Sequence, residues 1–240
     1  NDPDQGENHA PFRLSSEGEE LALFENEGNN WYLRDYISFG PIQENISFGR
    51  ISDGASQWQL FEISTPNSSN NNSQTLDIDL GWSLISTYIQ PDILDVSTVF
   101  SPLLDYIVIL KNNTGSAYLP EWNFNGIGDM IAGQGYQIKL NSAQQLTIFG
   151  EILQPELTPI DLTPGWNLIA YLRQSPSDVT AVFQEMQSNG SLVIVKDSGG
   201  NAYLPEWAFN GIGDMFSGKA YQIKTNEAYT LIYLSNNQDY

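Results

Sequence analysis

The chain holds a single histidine, His9, and no cysteine. Those two facts remove most of the chemistry that side chains offer. Thiol nucleophiles, zinc thiolates and disulfide frameworks are excluded. A Ser-His-Asp arrangement would have to be built on His9, inside the polar run "NDPDQGENHA", and one histidine cannot supply a histidine-type metal site. "NGIGDM" contains G-x-G but lacks a third glycine and a strand–helix setting, so it is no dinucleotide motif. No P-loop occurs. Carboxylates remain. A glycosidase pair would have to come from Glu121, Asp129 and their copies Glu206 and Asp214, which duplicates an active site inside a module of about 80 residues. Asp77, Asp79, Asp129, Asp161 and Asp214 offer hard oxygen ligands for calcium, yet no EF-hand spacing links them. The expectation is a chain that is not an enzyme and takes no cofactor, with a structural calcium as the one open metal.

Binding is the better use of what is left. "AYLPEWNFNGIGDM" at 117–130 recurs as "AYLPEWAFNGIGDM" at 202–215. Read as an extended strand, the phrase puts Tyr118, Pro120, Trp122 and Phe124 on one face, and Tyr203, Pro205, Trp207 and Phe209 on the matching face of the copy. Proline cannot donate to a ladder, so the strand is an edge or irregular one. "NGIGD" then supplies a tight reversal, with two glycines at positive φ and the Asn and Asp side chains bonding local backbone. Two readings compete for Tyr118, Trp122, Phe124, Tyr203, Trp207 and Phe209. As core, each buried tryptophan removes about 150–250 Å² from water, roughly 4–6 kcal/mol at about 25 cal/mol per Å². As a platform, flat rings on an edge strand suit stacking on a sugar or peptide. The need of so small a module for anchors favours core. Lys111 and Lys196, Lys139 and Lys224, and Glu121 and Glu206 also recur, and matched Lys–Glu pairs read as local charge compensation.

The elements that must carry these residues are duplicated as well. "DLGWSLIS" (79–86) answers "TPGWNLIA" (163–170), "DVSTVF" answers "DVTAVF", and "GYQIK" answers "AYQIK". Across 117–139 and 202–224, eighteen of twenty-three positions are identical. This is a tandem duplication, not a solenoid, because the period exceeds that of stacking repeats and only two copies exist. Each copy reads as a strand after Gly81 or Gly165, a helix capped by Asp95 or Asp178, a strand at 106–111 or 192–196, the repeated phrase, and two further strands. The helix is clearer in the second copy, where Val179, Val182, Phe183 and Met186 share a face. "STPNSSNNNSQ" cannot build a core and reads as a linker. The expected domains are 1–63, a linker at 64–74, and modules at 75–153 and 157–234.

The whole-chain balance narrows the partners. A net charge of −20 repels phosphate backbones and anionic membrane surfaces, so nucleic acid is not expected. No apolar run approaches the roughly 18 residues that cross a bilayer, so membrane insertion is not expected either. Absence of cysteine suits a secreted bacterial protein that folds without disulfide machinery, and a cytosolic protein can share the trait. No signal peptide is present, which leads to the expectation of a trimmed chain or a piece of a longer one.

Residues 1–69 resemble the second half of a bacterial lamin tail domain, in "NDPDQG", "FRLSSEGEELALFENEG", "DYISFGPIQENISFGRISDG" and "WQLFEISTPNSSN". The resemblance implies an immunoglobulin-like β-sandwich with strands at 19–24, 31–39, 45–51 and 57–62, and turns at Gly18, Gly28, Gly40 and Gly54. About 100 residues make such a sandwich, so half is lacking, and an exposed sheet edge and apolar face follow. Another protein, or the remainder of a larger polypeptide, is the expected partner that completes it. Residues 75–234 resemble a repeat of multidomain surface proteins of Bacteroidota exported by type IX secretion, through "GW-x-L-I", "LPEW-x-FNGIGDM" and "GYQIK". That resemblance implies an extracellular or cell-surface location. The fold class expected is mainly β: a partial immunoglobulin-like sandwich followed by two tandem β-rich modules with one short helix each. The function expected is a non-catalytic structural or adhesive region. The alternatives are a glycan-binding accessory region, or the appendage of an extracellular enzyme whose catalytic domain lies upstream.

Overall fold

The structure is a computed structural model and describes residues 14–28, 30–44, 46–50, 56–61 and 72–240. The protein is mainly β, as expected, with antiparallel sheets. Among the described residues the first module has the one short α-helix expected, while in the second Phe183, at φ −105° and ψ 18°, divides the helical stretch into two. It divides into two units, residues 1–70 and 71–240.

In the first unit, β1 (Glu19–Glu27) and β2 (Asn30–Phe39) pair antiparallel around Gly28, whose φ of 72° needs a residue without Cβ. β3 (Ser47–Arg50) and β4 (Trp58–Phe61) form a second pair. These are the four expected strands, displaced by a few residues; Gly54 lies outside the described residues. No closed sandwich forms among the described residues. Phe48 stacks on Trp58 at a centroid distance of 5.5 Å, and Phe39 lies tilted against Phe48 at 6.2 Å. Arg50 lies 4.8 Å from the Trp58 ring and bonds Asp35 at 2.6 Å. Leu23, Phe24, Trp31 and Leu33 are exposed, so the β1–β2 hairpin buries little of its apolar surface.

The second unit holds both repeats. The first module runs β5 (Asn72–Ile78), β6 (Gly81–Ile85), β7 (Ile89–Pro91), α1 (Val96–Val99), β8 (Ile107–Lys111), β9 (Ala117–Leu119), β10 (Phe124–Asn125), β11 (Tyr136–Leu140) and β12 (Gln144–Ile152). The second runs β13 (Ile160–Leu162), β14 (Gly165–Ala170), β15 (Ser177–Asp178), α2 (Val179–Val182), α3 (Gln184–Ser188), β16 (Leu192–Lys196), β17 (Ala202–Leu204), β18 (Phe209–Asn210), β19 (Asp214–Met215), β20 (Ala220–Thr225) and β21 (Tyr229–Leu231). The main sheets are β10-β9-β8-β11-β6 and β14-β20-β16-β17-β18. Alternation explains their faces: in β11, Tyr136, Ile138 and Leu140 point into the core while Gln137 and Lys139 point out.

One expectation fails at the linker. Residues 72–74 belong to β5, which pairs along β12, and buried Gln74 accepts the Tyr88 amide at 3.0 Å. The pattern Gln74, Leu76, Ile78 inward outweighs the polar composition read as linker. The stretch 64–71 lies outside the described residues.

The helix caps follow the sequence. Asp95 accepts the Thr98 amide at 3.0 Å and the Ser97 hydroxyl; Asp178 accepts the Thr180 amide at 2.8 Å. The Ser97 hydroxyl, more than the Thr98 amide, holds the Asp95 carboxyl below the usual carboxylate range. Val179, Val182, Phe183 and Met186 are buried together, and Gly190 ends the helical stretch at φ 76°.

The two modules join edge to edge. β6 and β14 are the inner edges of their sheets, and each is completed by chain from the other module. Ser86 N–H donates to Gly218 O at 3.0 Å, and Ala170 N–H donates to Gly133 O at 2.9 Å. Leu84 N–H donates to Ser198 Oγ at 3.1 Å, and Leu168 N–H donates to Asn113 Oδ1 at 2.6 Å. Bridges Ile85–Lys219 and Gln134–Ile169 repeat the symmetry, and Leu84, Leu168 and Ala220 form a small buried cluster between the modules. The contacts come in matched pairs, as about a two-fold axis.

Candidate functional site

The repeated phrase does not run as one strand. β9 ends at Leu119, and Pro120–Trp122 form a 3₁₀ turn, for which proline at the first position is well suited. Asn123 then adopts the left-handed conformation at φ 48°, and β10 turns back so that Phe124 faces Leu119. Pro205–Trp207, Ala208 at φ 47° and the Phe209–Leu204 pair repeat this. Asn125 Oδ1 accepts the Ile127 and Gly128 amides at 3.1 and 2.9 Å, while its Nδ2 donates to Asp95 at 3.0 Å. The hairpin is thereby tied to the helix cap. Of the two glycines in "NGIGD", only Gly128 and Gly213 have positive φ. Gly126 serves a different need: a Cβ there would come 2.9 Å from the Phe124 ring, which lies across it.

This geometry reverses the expected burial. Tyr118 and Tyr203 are core, but Trp122 and Trp207 are 72% and 73% exposed, and Phe124 and Phe209 are 52% and 53% exposed. Pro120, Trp122 and Phe124 do not share one extended face, because the 3₁₀ turn and the left-handed residue break the alternation. Each Trp sits at the apex of a braced turn, at the outer edge of its sheet.

The rings continue into a face. Cross-strand register places Trp82 opposite Lys139, Lys139 opposite Ile109, Gln137 opposite Lys111, Lys111 opposite Ala117, and Leu119 opposite Phe124. Residues directly opposite share a side, so this solvent-facing side runs from Trp82 to Phe124. Lys111 and Lys139 Nζ lie 5.6 and 5.8 Å from the Trp82 ring; Lys196 Nζ lies 5.3 Å from Trp166. Lys111, Lys139 and Lys196 therefore pair with tryptophan faces, and among the described residues no recurring lysine pairs with Glu121 or Glu206. Ion pairs join Arg34 to Glu25 and Glu27, and Arg50 to Asp35; among the described residues no lysine makes one. Trp82 and Trp166 escaped the candidate residues, although "GW" recurs and the alternation of β6 and β14 points both rings outward.

Where the two faces meet, a cleft of about 200 Å³ is lined by Lys111, Asn113, Gln137, Trp166 and Gln222, with no carboxylate in its walls. In the first unit a cleft of about 460 Å³ is lined mainly by Leu21, Ile37, Phe39, Ile42, Phe48 and Trp58. Among the described residues no group of three or more His, Asp or Glu side chains is placed to hold a metal, so Asp77, Asp79, Asp129, Asp161 and Asp214 form no such group. No helix among them is long and apolar enough to cross a membrane.

Fold and faces together define a β-rich, antiparallel tandem pair with exposed aromatic sides. Against protein-family models, curated proteins and solved structures, the chain finds no match.

Proposed function

We propose that residues 72–240 form a non-catalytic, two-site glycan-binding region of an extracellular or cell-surface protein. One observation carries the reading: Trp122 and Trp207 are nearly three-quarters exposed at equivalent braced turns. A ring left open to water forgoes roughly 4–6 kcal/mol of burial. A sugar's apolar face can recover part of this by stacking, at small entropic cost because the turn is already fixed. Trp82, Trp166 and their lysines extend the face with ring and ammonium groups that suit hydroxyl-rich or anionic saccharides.

Affinity electrophoresis against a panel of soluble neutral and acidic polysaccharides tests this. The wild-type chain is expected to be retarded by at least one, Trp122→Ala and Trp207→Ala each to weaken retardation, and the double variant to abolish it. Migration of the double variant identical to wild type in every gel would sink the glycan reading.

The first unit favours a second reading for itself, as a surface that takes up further strands from another polypeptide segment. Leu23, Phe24, Trp31 and Leu33 are exposed along a paired but uncovered hairpin. Replacing Leu23 and Leu33 by lysine should lower fluorescence of a bound apolar dye while leaving the far-ultraviolet spectrum unchanged. Unchanged dye binding would refute an uncovered face.

A further inference from the structure

Between 117–139 and 202–224 the copies differ only at Asn123/Ala208, Ile131/Phe216, Ala132/Ser217, Gln134/Lys219 and Gly135/Ala220. All but the first lie in the segments that cross the junction. Gly135 and Ala220 are equivalent residues that face each other there: a Cβ on Gly135 would lie 2.6 Å from Ala220 Cβ and 2.8 Å from Ile169 O. Two alanines cannot occupy this position without movement, and two glycines leave a methyl-sized hole beside Leu84 and Leu168. Ser86 and Ala170 are a second such pair. Ser86 Oγ donates to Lys219 O at 2.6 Å and accepts the Tyr171 amide at 3.3 Å. Two alanines here would leave both groups without that hydroxyl. Each position near the axis works with one substituent contributed by one module.

We propose that the junction is a self-recognition surface that accepts only the unlike module, and that through it a chain pairs with a second copy of itself by exchanging modules. The backbone bonds across the junction run between 84–86 and 218 onward, and between 133–135 and 168–170. None uses the connecting residues 153–159. Module 1 of one chain therefore presents to module 2 of another the same donors, acceptors and axial fit that it presents within its own chain. The tether supplies an effective concentration of about millimolar, which favours pairing within one chain in dilute solution. Exchange takes over when chains refold, or are held, at comparable density. Because each chain carries one half of each kind, two chains that exchange modules satisfy both junctions, and the dimer closes with none left free. The inference does not depend on what the aromatic turns bind.

The test uses the full chain, unfolded and refolded at concentrations from micromolar to millimolar, with mass read by light scattering. A dimer fraction that grows with refolding concentration and persists on dilution is expected; monomer at every concentration overturns exchange. Gly135→Ala is expected to lose the dimer and to speed amide exchange at Ser86 and Ala170 by about tenfold or more in the monomer. Gly135→Ala combined with Ala220→Gly removes the methyl–methyl contact but keeps the 2.8 Å approach to Ile169 O, and is expected to recover part of both. Ala220→Gly alone keeps the fold and guards against a merely misfolded variant, with exchange at those amides faster by only about two- to fivefold. A double variant no better than Gly135→Ala, or Gly135→Ala indistinguishable from wild type, overturns the key.

Discussion

The two modules share a sheet order and a site yet close their cores differently. In the first, Ile89 occupies the buried position after β6, and β7 pairs with the far end of the nine-residue β12. In the second, the matching residue is Arg173, 1% exposed, and β21 is only three residues long. The chain beyond β21 supplies the cover instead. Arg173 Nη2 donates to Gln238 O at 2.6 Å, and its guanidinium lies 5.0 Å from the Tyr240 ring. Nε and Nη1 have no hydrogen-bond partner among the described residues. The aromatic turns are nearly superimposable in sequence, whereas the differences gather at the junction and at this closing segment. Duplication has kept the outward face and varied what each copy must pack against.

Alkali should expose that asymmetry most strongly. Burial raises Tyr88, Tyr118 and Tyr136 in module 1. In module 2 it raises Tyr171, takes Tyr221 to about 12, and pushes Tyr233 well above the ordinary value. A phenol whose folded pKa is raised holds its proton in the folded state after the unfolded chain has lost it. Its stabilising contribution is whole below the unfolded value near 10 and is lost as pH climbs through the folded one. Unfolding followed by circular dichroism should therefore begin above about pH 10, with tyrosinate absorbance lagging behind the count of tyrosines. Replacing Tyr233 by phenylalanine should blunt that alkaline loss; an unchanged curve would contradict a module-2 origin.

Gly135→Ala is expected to cost about 2–3 kcal/mol in denaturant unfolding, since the new methyl meets both Ala220 and backbone. Arg173→Met should raise stability by about 1–2 kcal/mol, because it removes a buried cation that makes no ion pair among the described residues and approaches the module-1 solution. A destabilised variant would mean that the Gln238 and Tyr240 contacts outweigh desolvation. Ala208→Gly should add about 0.5 kcal/mol by relieving an alanine held at φ 47°, a position where module 1 uses the more tolerant asparagine. Trp122→Ala and Trp207→Ala should shift stability by less than about 0.5 kcal/mol. Buried rings in their place would cost about 3–5 kcal/mol, so this smallest effect measures the comparison of turn with core.

Local signals were readable. Alternation marks β6 and β14, short apolar runs mark β8 and β16, and the caps at Asp95 and Asp178 form as their side-chain chemistry requires. The alternation rule fails at Pro120, because a proline starts a 3₁₀ turn as readily as it marks an edge. The rings then emerged on the wrong side. The alternation of "GWSL" and "GWNL" marks a strand and turns Trp82 and Trp166 outward, but nothing local gives an outward ring a use. The junction was not legible, because its pairs lie far apart in the chain and nothing local marks Gly135 as facing Ala220.

The borrowed edges have a consequence for cooperativity. Since β6 is completed by the run-in to β20, and β14 by the run-in to β11, neither repeat can melt without stripping its neighbour's border. Beads on a string would give separate endotherms. Residues 72–240 will give one.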